Sequence, residues 1–239
     1  MDIDDKLGLK IVWLSIGATL MALALVFLTF EMFARRGIKS GMDKEKEKEK
    51  EYKRNKLRED QGKLIIFVLF IAFISYVMML ITSLYSTQEN VTIIRYIEWF
   101  ITTPLLLIDL ALIAHIAQVH LNYMIVLDLA MIALGLAAVF SSNLYVKYTL
   151  FALSTIAMIL IFTILFSSKT KIKAEDIDKK DLDKSFNANL YTGILWTLYP
   201  VVWILSNQGF NVLSISNATL GYMILDVLAK AVLGVVFLL

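Results

Sequence analysis

Seven stretches of the chain stay apolar for long enough to cross a bilayer, for which about 20 consecutive apolar residues in a helix suffice. They fall at residues 9–33, 64–85, 91–113, 121–140, 145–166, 189–205 and 220–239. The sixth is the shortest, and its polar start at Ser185-Phe186-Asn187-Ala188-Asn189 lets that boundary move by several residues. The pattern predicts an all-α membrane protein, a seven-transmembrane helix bundle forming one domain over residues 1–239. Seven spans leave the two termini on opposite sides.

Composition excludes the soluble alternative, because 59% of the residues are hydrophobic and the mean hydropathy is +0.72. Charge is informative by placement. Residues 35–63 alternate Lys and Glu from Lys44 to Glu51 and add Arg35, Arg36, Lys53, Arg54 and Arg58, and residues 169–184 are likewise rich in lysine. The remaining short connections at 86–92, 141–147 and 207–216 carry almost none. The positive-inside rule therefore puts the two charged loops and the C-terminus in the cytoplasm and the N-terminus outside. The Lys/Glu run reads as a solvated helix or loop. The start Met1-Asp2-Ile3-Asp4-Asp5-Lys6 lacks a basic n-region, so the first span is expected to be retained. With no cysteine, disulfides and thiol chemistry are excluded. No Gly-rich phosphate loop or nucleic-acid signature stands out. His115 and His120, five apart, do not share a helix face and no carboxylate joins them, so no metal site is expected.

The charges inside the apolar stretches point to chemistry, because an ionisable group within a membrane span is costly and marks a functional site by default. Lys230 sits near the middle of the last span, with Asp226 one turn earlier on the same face. In the third span Glu98 and Asp109 are eleven residues apart, which returns almost to the same direction after three turns and about 16 Å of rise. Arg95 lies one turn before Glu98 and Thr102 one turn after it. Trp196, Tyr199 and Trp203 share one face of the sixth span, and Tyr96 and Trp99 flank Glu98. Aromatic stripes in a bundle are ordinarily packing, but beside a buried lysine they form a slot for a flat apolar ligand. A buried amine loses its proton readily and can attack an aldehyde to give a Schiff base. A protonated imine then needs a counter-charge, which Glu98 and Asp226 could supply.

Three pieces of the chain carry a family resemblance. They are Arg95-Tyr96-x-Glu98-Trp99-x-x-Thr102-Thr103-Pro104-Leu105-Leu106-Leu107-x-Asp109, then Trp196-x-x-Tyr199-Pro200-Val201-Val202-Trp203, and Leu225-Asp226-Val227-x-Ala229-Lys230. In this order and spacing the chain resembles a microbial (type I) rhodopsin, close in pattern to bacteriorhodopsin. The first two spans match only loosely. The resemblance implies all-trans retinal bound as a Schiff base to Lys230, isomerised by light to the 13-cis form, in a light-driven ion transporter rather than an enzyme. By matching position, it implies Glu98 as primary proton acceptor, Asp109 as cytoplasmic proton donor, Asp226 as second counterion and Arg95 as extracellular gate. Thr102, Thr103, Leu106, Tyr96, Trp99, Trp196, Tyr199, Trp203 and Ala229 match retinal-pocket positions. Asp128, Met131, Gly135, Phe151, Ser154, Thr155 and Met158 match pocket positions in the fourth and fifth spans. Phe151 stands where some relatives have a glycine that opens a window for a carotenoid antenna, and its bulk argues against one. Relatives assemble as trimers or pentamers, so a homo-oligomer in the lipid bilayer is implied.

The resulting expectation is an outward proton pump, with Glu98 held ionised by Arg95 and the imine, and Asp109 held neutral by its leucine-rich surroundings. Two departures qualify it. Glutamate at position 98 is also found in channelrhodopsins, which keeps a light-gated cation channel as the alternative, while Asp109 argues against a sensory photoreceptor. Gln208 and Ala218 replace extracellular carboxylates of bacteriorhodopsin, so proton release is expected late, after uptake.

Overall fold

The computed structural model describes residues 3–36, 45–85, 88–167 and 179–238. Residues 37–44 of the first lysine-rich loop and 169–178 of the second lie outside these residues, and so does Met1-Asp2. Seven helices are long and apolar enough to cross a membrane. They are carried by α1 (Ile3–Arg36), α2 (Glu45–Tyr85), α3 (Gln88–Ile113), α4 (Gln118–Phe140), α5 (Leu144–Phe166), α6 (Lys179–Leu205) and α7 (Ile215–Asp226), the last running on through a π-helical segment, Val227–Val232, into α8 (Leu233–Leu238). The backbone of the Lys/Glu run from Glu45 is helical, an extension of α2 ahead of its membrane span at Lys56–Tyr85.

Two spans begin at a side chain that offers the backbone another partner. Asn143 caps α5 by accepting from the Tyr145 and Val146 amides, and Ser214 caps α7 by accepting from the Asn217 amide. The Ser214 cap corrects the sequence reading of the last span, expected over 220–239 and found over Ile215–Val235. Its first turn, Ile215-Ser216-Asn217-Ala218-Thr219, is polar enough to hide in a hydropathy profile. The sixth span begins at Ser185, four residues earlier than expected. At the end of α3, His115 adopts φ 53°, a left-handed turn that lets the Ile116 amide reach the Ala111 carbonyl at 2.9 Å.

Burial runs opposite to that of a water-soluble bundle at its outer face. Val26 and Phe30 of α1 are 68% and 69% exposed, and Val126 of α4 is 66% exposed, as lipid contact requires. Tyr85 and Tyr145, both at the end of the bundle that holds the N-terminus, stand outward where an interfacial aromatic belt would lie. Inside, α1, α2, α3 and α7 pack around Leu14, Met21, Ile65, Leu69, Tyr76, Leu107 and Leu110. Helix α1 approaches α2 closely because Gly17 leaves room for the Tyr76 ring, which a Cβ at that position would strike. This close approach presses Tyr76 toward the middle of the bundle, where the charged side chains meet.

Candidate functional site

Lys230 is 1% exposed and lies within the π-helical segment, where hydrogen bonds span five residues and the turn widens. Its Nζ donates to Asp226 Oδ1 at 2.6 Å and lies 2.8 Å from Glu98 Oε1. Helices α3 and α7 therefore meet through one cation and two carboxylates, all shielded from solvent.

The two carboxylates are treated differently. Asp226 Oδ1 also accepts from Trp99 Nε1 at 3.2 Å and from the Tyr199 hydroxyl at 2.9 Å, and its Oδ2 accepts from the Tyr76 hydroxyl at 2.8 Å. Four donors from α2, α3, α6 and the π segment thus engage both oxygens, three on Oδ1 and one on Oδ2. Glu98 Oε1 accepts from the Thr102 hydroxyl at 3.1 Å in addition to Lys230, but its Oε2 is buried with no hydrogen-bond partner. One acid has both oxygens engaged, and the other has an oxygen to spare.

Beyond Lys230 opens a cavity of about 100 Å³, several times the ~10–15 Å³ that one water needs on the same measure. Trp99, Trp196, Tyr199 and Trp203 wall it, with Tyr96, Thr103, Leu106, Met131, Gly135, Ser154, Thr155, Met158 and Ala229 also at its surface. Phe151 completes one wall, stacked on Trp203 with ring centroids 4.5 Å apart and planes at 16°. The polar residues of the wall mostly turn their hydroxyls away, Ser154 to the Met131 carbonyl and Thr155 to the Phe151 carbonyl. Gly135 admits the Tyr96 ring, since a Cβ there would sit 3.2 Å from Tyr96 Cε1. An amine at one end of a flat, apolar, aromatic slot fits retinal, with its aldehyde end toward Lys230.

Two expectations need correction. Asp128 does not line the cavity; it is fully buried behind Thr103, with its Oδ2 2.7 Å from Thr103 Oγ1. The threonine hydroxyl also lies 2.8 Å from the Trp99 carbonyl, and its single proton serves one of the two. When it goes to the carbonyl, the proton shared with Asp128 belongs to the acid. Arg95 forms no ion pair within 4.0 Å among the described residues and so does not pair with Glu98. Its guanidinium lies over the Tyr222 ring, 4.5 Å from the centroid, and Nη2 donates to Met79 Sδ at 3.7 Å. The long side chain runs toward the N-terminal end, where Arg95 lines a second, smaller cavity with Gln88, Thr92, Gln208, Ala218 and Thr219. Asp109, 1% exposed, is likewise away from the main cavity, on α3 toward the opposite end.

The main cavity also contains Ile132, Pro200 and Tyr222, and Tyr76 holds Asp226 from α2. Sequence reasoning missed all four as site residues. Tyr222 had a readable signal, because Tyr222, Asp226 and Lys230 recur every four residues. Tyr76 had a weaker one, a phenol inside an apolar run.

A membrane bundle with a buried lysine at the head of an apolar aromatic slot defines a class, the seven-helix retinal proteins. The family model described as bacteriorhodopsin-like protein matches residues 8–239, and the chain belongs to that family, whose chromophore is retinal. Among its relatives, archaerhodopsin-2 of Halobacterium sp. (strain aus-2) is 35% identical over 154 residues, which is 64% of this chain and 59% of the relative. The match thus spans less than two thirds of that relative's length. The proton pumping rhodopsin AR2 from the marine alga Acetabularia acetabulum superposes with TM-score 0.79 at 24% identity, covering 96% of this chain and 93% of that one. Halorhodopsin, a light-driven chloride pump, superposes with TM-score 0.77 at 21% identity, covering 96% and 93%. Both share the fold, so the fold alone does not set the transported ion.

Proposed function

We propose that the protein is a light-driven outward proton pump in which retinal is bound as a Schiff base to Lys230. The observation that carries this reading is the asymmetry of the two carboxylates at the Lys230 nitrogen. Asp226 accepts from four donors that engage both of its oxygens, while Glu98 lies 2.8 Å away with Oε2 unpartnered. Glu98 is the acceptor, and Asp226 is the fixed counter-charge. When bound, retinal supplies the light-driven change of shape that separates the nitrogen from its counter-charges and displaces its proton. Thr102 orients Glu98 through Oε1 and leaves Oε2 for the arriving proton.

Asp109 returns a proton from the other side. It stands three turns along α3 from Glu98, about 16 Å at helical rise, beside the buried Leu106, Leu107 and Leu110. Burial in such surroundings suits an acid that stores a proton until the nitrogen is empty. Excess lysine in the loops at 35–63 and 169–184 supports a cytoplasmic position for the Asp109 end and an extracellular N-terminus. Beyond Glu98, Arg95 provides the positive charge at the extracellular exit, and Gln208 and Ala218 leave that exit without their own carboxylates. The proton on Glu98 is therefore released late. A carboxylate beside the lysine disfavours chloride as cargo.

Light-induced pH change in an unbuffered suspension of cells expressing the protein with retinal tests the reading. Acidification abolished by a protonophore is expected. A coloured protein that leaves the pH unchanged overturns pumping, and a photocurrent that reverses with voltage would identify a channel instead.

A further inference from the structure

We infer that Tyr191 is a positioning residue for Lys230, acting through the backbone of the π-helical segment. The inference rests on the assignment of Lys230 as the retinal attachment, but not on the ion that is moved. The Tyr191 hydroxyl, on α6, donates to the Leu228 carbonyl at 3.0 Å. Leu228 stands two residues before Lys230, inside Val227–Val232, and its carbonyl also accepts from the Leu233 amide across the widened turn. A carbonyl oxygen has two lone pairs, so both contacts can be held together.

A π turn is rarer than an α turn, and local contacts must hold it. Its carbonyls tilt out of line and, in a bilayer, find no water to satisfy them. The Tyr191 hydroxyl adds a second donor to the Leu228 carbonyl from the α6 side. Tyr191 and Leu228 also pack against one apolar cluster of Leu195, Leu225 and Ala229, which fixes the phenol in reach. Two turns further along α6, Tyr199 donates to Asp226. Helix α6 therefore grips α7 at two points on either side of the cavity wall, one on the counter-charge and one on the backbone that aims the amine. Loss of the Tyr191 bond frees the π turn to relax toward α geometry, which re-aims Lys230 relative to Glu98 and Asp226.

Asn189 gives a matched control. On the same helix, its Nδ2 donates to a backbone carbonyl at 3.2 Å, that of Leu165 on α5 rather than one of the π-helical segment. Full-length protein reconstituted with all-trans retinal is compared as wild type, Tyr191→Phe and Asn189→Ala. The readouts are the dark absorption maximum and the rate of bleaching by hydroxylamine in the dark, which reports access to the Lys230 linkage. Tyr191→Phe is expected to shift the maximum and to bleach roughly fivefold faster, the factor that one net hydrogen bond is worth, while Asn189→Ala keeps the wild-type maximum. Insertion of 3-fluorotyrosine at position 191, which keeps the ring and strengthens the donor, is expected to move the maximum in the opposite direction. An unshifted maximum in both position-191 variants, or equal effects in Tyr191→Phe and Asn189→Ala, overturns the inference. Absence of light-driven acidification in wild-type cells would remove the pump and leave this result standing.

Discussion

Charge at the Lys230 nitrogen is shared unequally, and this inequality gives each acid a separable test. Glu98→Gln keeps the shape and the Thr102 contact but removes the proposed proton acceptor, so pigment is expected to form while light-driven acidification disappears. Retained pumping in that variant would transfer the role to Asp226. Asp109→Asn is expected to slow recovery of the nitrogen's proton by on the order of 100-fold, the lower end of what a positioned proton donor contributes. Flash spectroscopy reads it, and wild-type recovery would remove the donor assignment. Tyr76→Phe deletes one of four donors to a buried carboxylate and is expected to lower pigment stability by about 1.5–3 kcal/mol, measured by denaturant titration of the bound colour. Most of this site was legible in the chain because charges are conspicuous in an apolar run. Tyr76 was not, since a phenol scans as an ordinary core aromatic until its hydroxyl is seen to reach across to α7. The partners of Arg95 were illegible for a related reason: helical spacing gives the direction of a Cβ, but the far end of a four-torsion side chain goes where a π face and a sulfur can receive it.

Helices α1 and α2 were the least legible by motif, yet they press the Tyr76 ring into the site through one missing Cβ. Gly17→Ala is expected to push that ring, weaken its bond to Asp226 and shift the absorption maximum. Gly8→Ala meets nothing within 4 Å and is expected to behave as wild type. Identical spectra for the two variants would show that the ring is free to move aside. Span number was readable because each run reaches the range of lengths that crosses a bilayer, whereas the start of α7 was not. Ser214, Asn217 and Thr219 lower the local hydropathy, although serine at that position is what starts the helix, by capping. The π segment left no mark in the sequence at all, since it arises from what the widened turn packs against.

Taken across its full height, the bundle has two polar ends of different character. The end holding Arg95 carries amides and hydroxyls, Gln88, Thr92 and Gln208, in its small cavity, while the opposite end leads from Asp109 to loops rich in lysine. A pH-indicating dye in a flash experiment is expected to record uptake from the medium before release to it. Release coincident with deprotonation of the Lys230 nitrogen would show that a group other than Glu98 discharges first. Neither this order nor the transported ion follows from the fold, which halorhodopsin shares.

A single π turn inside an α-helix is equivalent to one inserted residue, and the bundle absorbs that insertion entirely between Val227 and Val232. Upstream, Asp226 is held by Trp99, Tyr199 and Tyr76; downstream, Gly234 sits so close to Ile65 of α2 that a Cβ would strike it. The segment that carries Lys230 is thus an irregular link between two stretches that are each fitted to their neighbours. Removing one residue from this turn is expected to straighten the helix and change the aim of the amine.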